Sequence, residues 1–211
     1  MIGIFELLKK EQVHRKLLDY GLFAEKLTPI FQSKSYGKWI RKTGLKVYKD
    51  RSFSCVSYRL TRNNNAPRVI EIPHPIAYFR LCEEIKINWK EIIKKIGEID
   101  DYAETSMVIP KPNNLNKRLV SMKSYDKRDD EKFLILDKSF CKKFLVHIDI
   151  ANCYPSIYSH SIPWALVGHQ EAKDNMNDSA KWYNKFDFAI RSMQRNETIG
   201  IPIGPDTSSL I

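Results

Sequence analysis

The stretch that most constrains this chain is Phe144-Leu-Val-His-Ile-Asp-Ile-Ala-Asn-Cys-Tyr-Pro-Ser-Ile157. Its opening run of aromatic and β-branched residues favours a pleated strand. Pro155 cannot donate to a ladder, so the strand ends or bends there. The pattern predicts a buried strand with Asp149 near its end. A carboxylate in that position needs a cation, a hydrogen-bond network or a proton. Taken alone, Asp149 is either a satisfied structural acid or a ligand, and the run does not choose between them. A second stretch bears on the choice: Gly200-Ile-Pro-Ile-Gly-Pro-Asp-Thr-Ser208.

A buried strand requires a core. A chain of 211 residues with 43% hydrophobic and 11% aromatic content can supply one and is not of disordered composition. No run reaches the roughly 18–20 apolar residues of a membrane span. The first ten residues mix Glu6, Lys9 and Lys10 into an apolar pattern, which predicts a helix and not a signal peptide. Cys55, Cys82, Cys141 and Cys153 are widely spaced with no Cys-x-x-Cys pair. That argues against zinc and fits reduced thiols in a cytoplasmic protein.

The net charge of +10 is unevenly placed. Residues 1–62 carry 14 Lys/Arg and 5 acids, residues 63–143 carry 16 and 13, and residues 144–211 carry 5 and 7. A basic front half leading into a slightly acidic back half suits a polyanion track beside a metal centre; ordinary solvated helix faces would give the same totals.

Apolar spacing predicts a helix from Ile4 to Leu18 stopped by Gly21, and a short second helix over 22–30. Residues 33–51 interleave Tyr36, Trp39 and Tyr48 with seven Lys/Arg. Such a segment either stacks bases and holds phosphates or is a helix and loop with core aromatics. Residues 53–62 and 68–72 read as strands joined at Asn63-Asn-Asn-Ala-Pro67. Helices are predicted over 76–87 and 88–97, the second with Asn88 as N-cap. Residues 102–109 and 117–123 read as strands of a basic hairpin, 126–131 as an exposed charged stretch, and 133–140 as helix or strand. Further on, helices are predicted over 161–167 and 179–195, a polar loop over 168–178, a turn over 197–204 and a new helix from Pro205.

In this order, a basic hairpin, then Asp149 with Tyr154-Pro155 five residues on, then Gly-x-Pro-x-Gly-x-x-x-Ser, the chain resembles the reverse transcriptases. It is most similar to the bacterial abortive-infection, phage-defence type. The resemblance covers roughly residues 53–211. It implies an α+β fold of right-hand polymerase fingers (53–143) and an incomplete palm (144–211), behind a basic helical N-terminal extension (1–52). It implies RNA-directed DNA polymerase activity, a nucleotidyl transfer using two Mg²⁺ ions held by the Asp149 carboxylate and the Ile150 carbonyl. Tyr154 resembles the residue that packs under the incoming sugar, although the same ring could be a core aromatic. Gly200, Pro202 and Gly204 resemble the second palm motif, beside the nascent base pair, where glycine lets backbone approach closely. Asp206, Thr207 and Ser208 are placed to cap a following helix. Lys111, Lys117 and Arg118 are candidates for holding the triphosphate, and Lys123 and Arg128 for contacting nucleic acid. Arg68-Val-Ile-Glu-Ile-Pro73 competes for the fingers assignment, and His74, between two prolines, reads as structural.

The implied partners are an RNA or DNA template–primer and a deoxynucleoside triphosphate, with no membrane. The family's third palm motif, a paired-acid Tyr-x-Asp-Asp, does not occur. The only Asp pairs, Asp100-Asp101 and Asp129-Asp130, precede Asp149 in charged stretches. The expectation is therefore a chain inactive by itself, with a second polypeptide as the candidate source of the third motif and thumb. The alternative is a catalytically inactive nucleic-acid-binding fragment or regulatory module.

Overall fold

The computed structural model describes residues 5, 7–44, 51–61, 67–100, 111–112, 118–121, 128–144, 146, 148 and 150–211. The expected strand over 102–109 lies outside them, as do Lys117, Lys123 and Asp149.

The first helix, α1 (Lys10–Lys16), widens into a π turn at Leu17–Gly21. Val13, Leu17 and Leu18 are fully buried there, and the regular element stops at the expected glycine. Residues 22–30 form turns instead of the expected helix. Their backbone is used elsewhere: the Phe23 carbonyl accepts from Arg118 at 2.7 Å, and the neighbouring Gly21 carbonyl accepts from the Asp206 amide at 2.8 Å. Helix α2 (Lys34–Thr43) follows and ends at Gly44, whose φ of 63° is the left-handed C-cap geometry that glycine adopts without strain.

The strand pair is as the sequence predicts. β1 (Val56–Leu60) and β2 (Arg68–Ile72) are antiparallel, with Tyr58 opposite Ile70. β2 runs into α3 (Pro75–Ile87), with proline at its first position and His74 as N-cap, its Nδ1 accepting from the Ile76 amide at 3.2 Å. His74 also stacks on Phe53, centroids 3.9 Å apart. Asn88 caps backwards: its Nδ2 donates to the Glu84 carbonyl at the end of α3, not to the start of α4 (Trp89–Asp100).

A second, smaller sheet pairs β3 (Lys111–Pro112) with β4 (Val120–Ser121); β4 lies within the expected strand over 117–123, whereas β3 forms in the stretch between the two expected strands. Residues 128–139, read from sequence partly as a charged stretch and partly as an open choice, form helix α5 (Arg128–Ser139). The buried strand expected around Asp149 is not found among the described residues. Phe144, Val146, Ile148 and Ile150 are each more than 70% exposed and carry no ladder.

Four helices complete the chain: α6 (Cys153–Ser156), α7 (Ser161–Val167), α8 (His169–Asp174) and α9 (Trp182–Arg191). α8 replaces an expected loop. Residues 205–211 form turns, not the expected helix. The fold is thus α+β, with helices around two small antiparallel sheets. Its core draws on every part of the chain: Leu17 and Ile40, Tyr78 and Leu81 of α3, Leu119 and Val120, and Phe186, Ile190 and Ile201. No described helix is long and apolar enough to cross a membrane.

Candidate functional site

The turn over 200–208 is held on every side, and this positions the site. The Gly200 amide donates to the Ile157 carbonyl at 2.7 Å, and the Ile201 amide to the Tyr154 carbonyl at 3.0 Å. At Gly200 φ is 95°, and an added Cβ would stand 3.2 Å from the Pro155 carbonyl oxygen. Glycine therefore lets the turn lie against the Tyr154-Pro155 segment. At Gly204 φ is 130°, and a Cβ would come within 2.8 Å of Ile70 Cγ2 and 2.9 Å of Ala24 Cβ. Between the two glycines, Pro202 is buried. The Glu71 amide donates to the Ile203 carbonyl at 2.8 Å, and the Ile203 amide donates back to the Glu71 carboxylate at 3.2 Å. β2 and the glycine turn are thus joined by backbone.

Arg118 closes the assembly. Its guanidinium donates through both Nε and Nη2 to one oxygen, Oδ1, of Asp206, whose side chain is 5% exposed, and Nη2 also donates to the Phe23 carbonyl. The sequence places Arg118 among triphosphate ligands and Asp206 at a helix cap. In the folded chain they instead bind three segments to one another: the hairpin, the glycine turn and the chain leaving the π turn. Burial pushes the Asp206 carboxyl up to about 6, against the opposing pull of Arg118. Desolvation thus exceeds the attraction of the partner charge.

Beside this tie lies a cavity of about 70 Å³. It is walled by Ala24–Lys26, by Arg68 and Ile70, by Val120, by Tyr154, and by the turn from Ile203 to Ser209. Space of that size holds several waters. Tyr154 is half-buried in α6, and burial raises its phenol above the ordinary range, opposed by a hydrogen bond with Ser209 and by nearby Arg68. Asp206 Oδ2, Thr207 Oγ1 and Ser208 Oγ are buried without a hydrogen-bond partner among the described residues. The cavity therefore offers the Tyr154 phenol, the Arg68 guanidinium, the Lys26 ammonium, the Ser208 and Ser209 hydroxyls and the Glu25 and Asp206 carboxyls to an occupant.

Of the residues singled out from sequence, the structure brings Tyr154, Gly204 and the Arg118–Asp206 pair to this one place. Gly200 and Pro202 form the support behind it. Lys111 stands in β3 opposite Ser121, and Arg128 begins α5. Ile150 is 73% exposed. Two contributors were missed. Arg68 carried a signal, since it heads the segment that competed for the fingers assignment. Residues 24–26 carried none, because their place in the wall comes from tertiary contacts of an irregular segment. Among the described residues no group of three or more His, Cys, Asp or Glu is placed to hold a metal ion.

No protein-family model matches the chain, and no curated protein matches it.

Proposed function

We propose that this chain is the fingers and part of the palm of a reverse transcriptase, an RNA-directed DNA polymerase, similar to the bacterial phage-defence type. One observation carries the reading. Tyr154, residues 203–209 of the glycine turn and Val120 of the hairpin lie far apart in sequence, yet all line one cavity, and Arg118 of the hairpin pairs with Asp206 in its wall.

In this reading Tyr154 packs against the sugar of a deoxynucleoside triphosphate, and the backbone of Gly200–Gly204 lies along the nascent base pair. Lys111 and Lys117 take the triphosphate, and Lys123 and Arg128 follow the template–primer. Arg118 is a positioning residue, because its guanidinium is already bound to Asp206 and Phe23. Arg68 and Lys26 become the cations that the cavity presents. Asp149 and the Ile150 carbonyl are the residues that would hold Mg²⁺, which stabilises charge on the transferring phosphoryl group when bound. A second polypeptide supplying further acids, and a role in anti-phage defence, belong to the same proposal.

The test is equilibrium binding of a deoxynucleoside triphosphate to the chain with primer–template, with and without Mg²⁺. Saturable Mg²⁺-dependent binding that Asp149→Asn weakens at least roughly tenfold is expected. Absence of binding, or binding indifferent to Asp149→Asn, overturns the reading.

A further inference from the structure

From Lys26 to Lys49 the chain has seven Lys/Arg and no Asp or Glu. Helix α2 lies in the middle of this run and is fastened by one side only. Gly37 and Ile40 are buried, and a Cβ at Gly37 would collide with Asp19 Oδ1 at 2.0 Å. Arg41 reaches the same carboxylate with both terminal nitrogens, at 2.8 and 3.1 Å. The Tyr36 hydroxyl donates to the Pro75 carbonyl at 2.6 Å. These four residues form one contiguous helical face. The opposite face carries Lys34, Lys38 and Lys42, all exposed, and none forms an ion pair among the described residues.

Trp39 belongs to that outer face, three residues before Lys42, and is 50% exposed. It rests on Tyr36, ring planes 28° apart, and Tyr36 is itself fixed by its hydrogen bond. A large indole left half in water beside unpaired ammonium groups is not what a merely solvated face needs. We propose that this outer face of α2 is a binding site for single-stranded nucleic acid. Trp39 is the platform on which a base stacks, and Lys34, Lys38 and Lys42 are the row that follows the phosphates. Four-residue steps put the three ammonium stems roughly 6 Å apart along the helix. Stacking on a fixed ring combined with a line of cations is the chemistry of sequence-tolerant single-strand binding. Charge complementarity selects a polyanion, and the exposed indole selects unpaired bases over a duplex.

The face shares no residue with the Tyr154 cavity, so it stands whether or not the polymerase reading does. The test is fluorescence anisotropy of labelled 20-mers of dT and of U, and of a 20-base-pair duplex, against the full 211-residue chain. Single strands should bind more tightly than duplex, with the dT and U arms showing which sugar is preferred. Trp39→Ala should weaken single-strand binding roughly 5- to 100-fold. Replacing Lys34, Lys38 and Lys42 together by Gln should reduce the salt slope by about 2. The comparison variant replaces Lys90 and Lys94 of α4 by Gln, two exposed cations elsewhere, and should bind as the parent does. Unchanged melting of each variant shows that the fold is kept. No single-strand binding, no effect of Trp39→Ala, or an equal loss in the α4 variant overturns the proposal. Deoxynucleotide binding should be untouched by Trp39→Ala, which separates this result from the cavity's.

Discussion

The turn over 200–208 and the described apolar residues between 133 and 150 are opposite in fate, although the second group is the richer in apolar side chains. In the first, Ile201 and Pro202 are buried and Asp206 is enclosed with them. In the second, Phe133, Leu136, Phe140 and Phe144 are each more than 60% exposed. The difference lies in what each segment meets. The turn has two glycines that admit close backbone, β2 alongside, and an arginine arriving from the hairpin. In the other, the described side chains of Phe133, Leu136, Phe140 and Phe144 stay largely exposed. Hydrophobicity drives burial only where a complementary surface exists, and a patch left open is a surface for association.

The contrast can be broken hardest at the ion pair. Arg118→Met leaves Asp206 enclosed without its cation and should cost about 3–5 kcal/mol in a urea titration at pH 8. The loss should be smaller at pH 5, where Asp206 can take a proton. Arg118→Met with Asp206→Leu should recover much of it.

Next in size is the pH dependence of the parent chain. The folded-state carboxyl of Asp206 titrates at about 6, against an ordinary 3.8. The folded chain holds this proton more tightly than the unfolded chain. Its contribution is therefore present in full below the ordinary value and is lost as pH rises through about 6. The slice amounts to about 3 kcal/mol. Asp206→Asn should flatten that part of the stability–pH curve, measured by denaturant midpoints between pH 4 and 7.

Gly204→Ala adds a methyl where φ is positive and where Ile70 and Ala24 already stand within 3 Å. It should destabilise by about 1–3 kcal/mol. At the other end of the scale, Phe140→Ser or Ile148→Ser should shift stability by less than about 0.5 kcal/mol in the same titration. A large loss there would mean that the open segment is packed after all.

What could be read in the sequence follows the same division. The β1–β2 pair was legible because Asn63-Asn-Asn-Ala-Pro67 punctuates two alternating runs. α3 was legible because Pro75 and the spacing of Phe79, Leu81 and Ile85 state a helix directly. Residues 22–30 were not: Leu22 and Leu27 are buried by distant partners, and the local carbonyls serve Arg118 and Asp206. α8 escaped because only Ala172 faces inward, too little to show a period. Within the site, Tyr154, Gly200 and Gly204 were read from local chemistry. The bond between Arg118 and Asp206 spans 88 residues, and no local pattern announces it. The same logic turned Asp206 from a helix cap into a buried ion-pair partner.

The proposed seating of a deoxynucleotide's sugar against Tyr154 bears on sugar preference. It is tested most directly by comparing the affinities of a deoxynucleoside and the matching ribonucleoside triphosphate in the presence of Mg²⁺ and primer–template. A preference for the deoxy form of roughly tenfold or more is expected, falling to near parity in Tyr154→Ala. Equal affinity in the parent chain, or a preference that survives Tyr154→Ala, would contradict it.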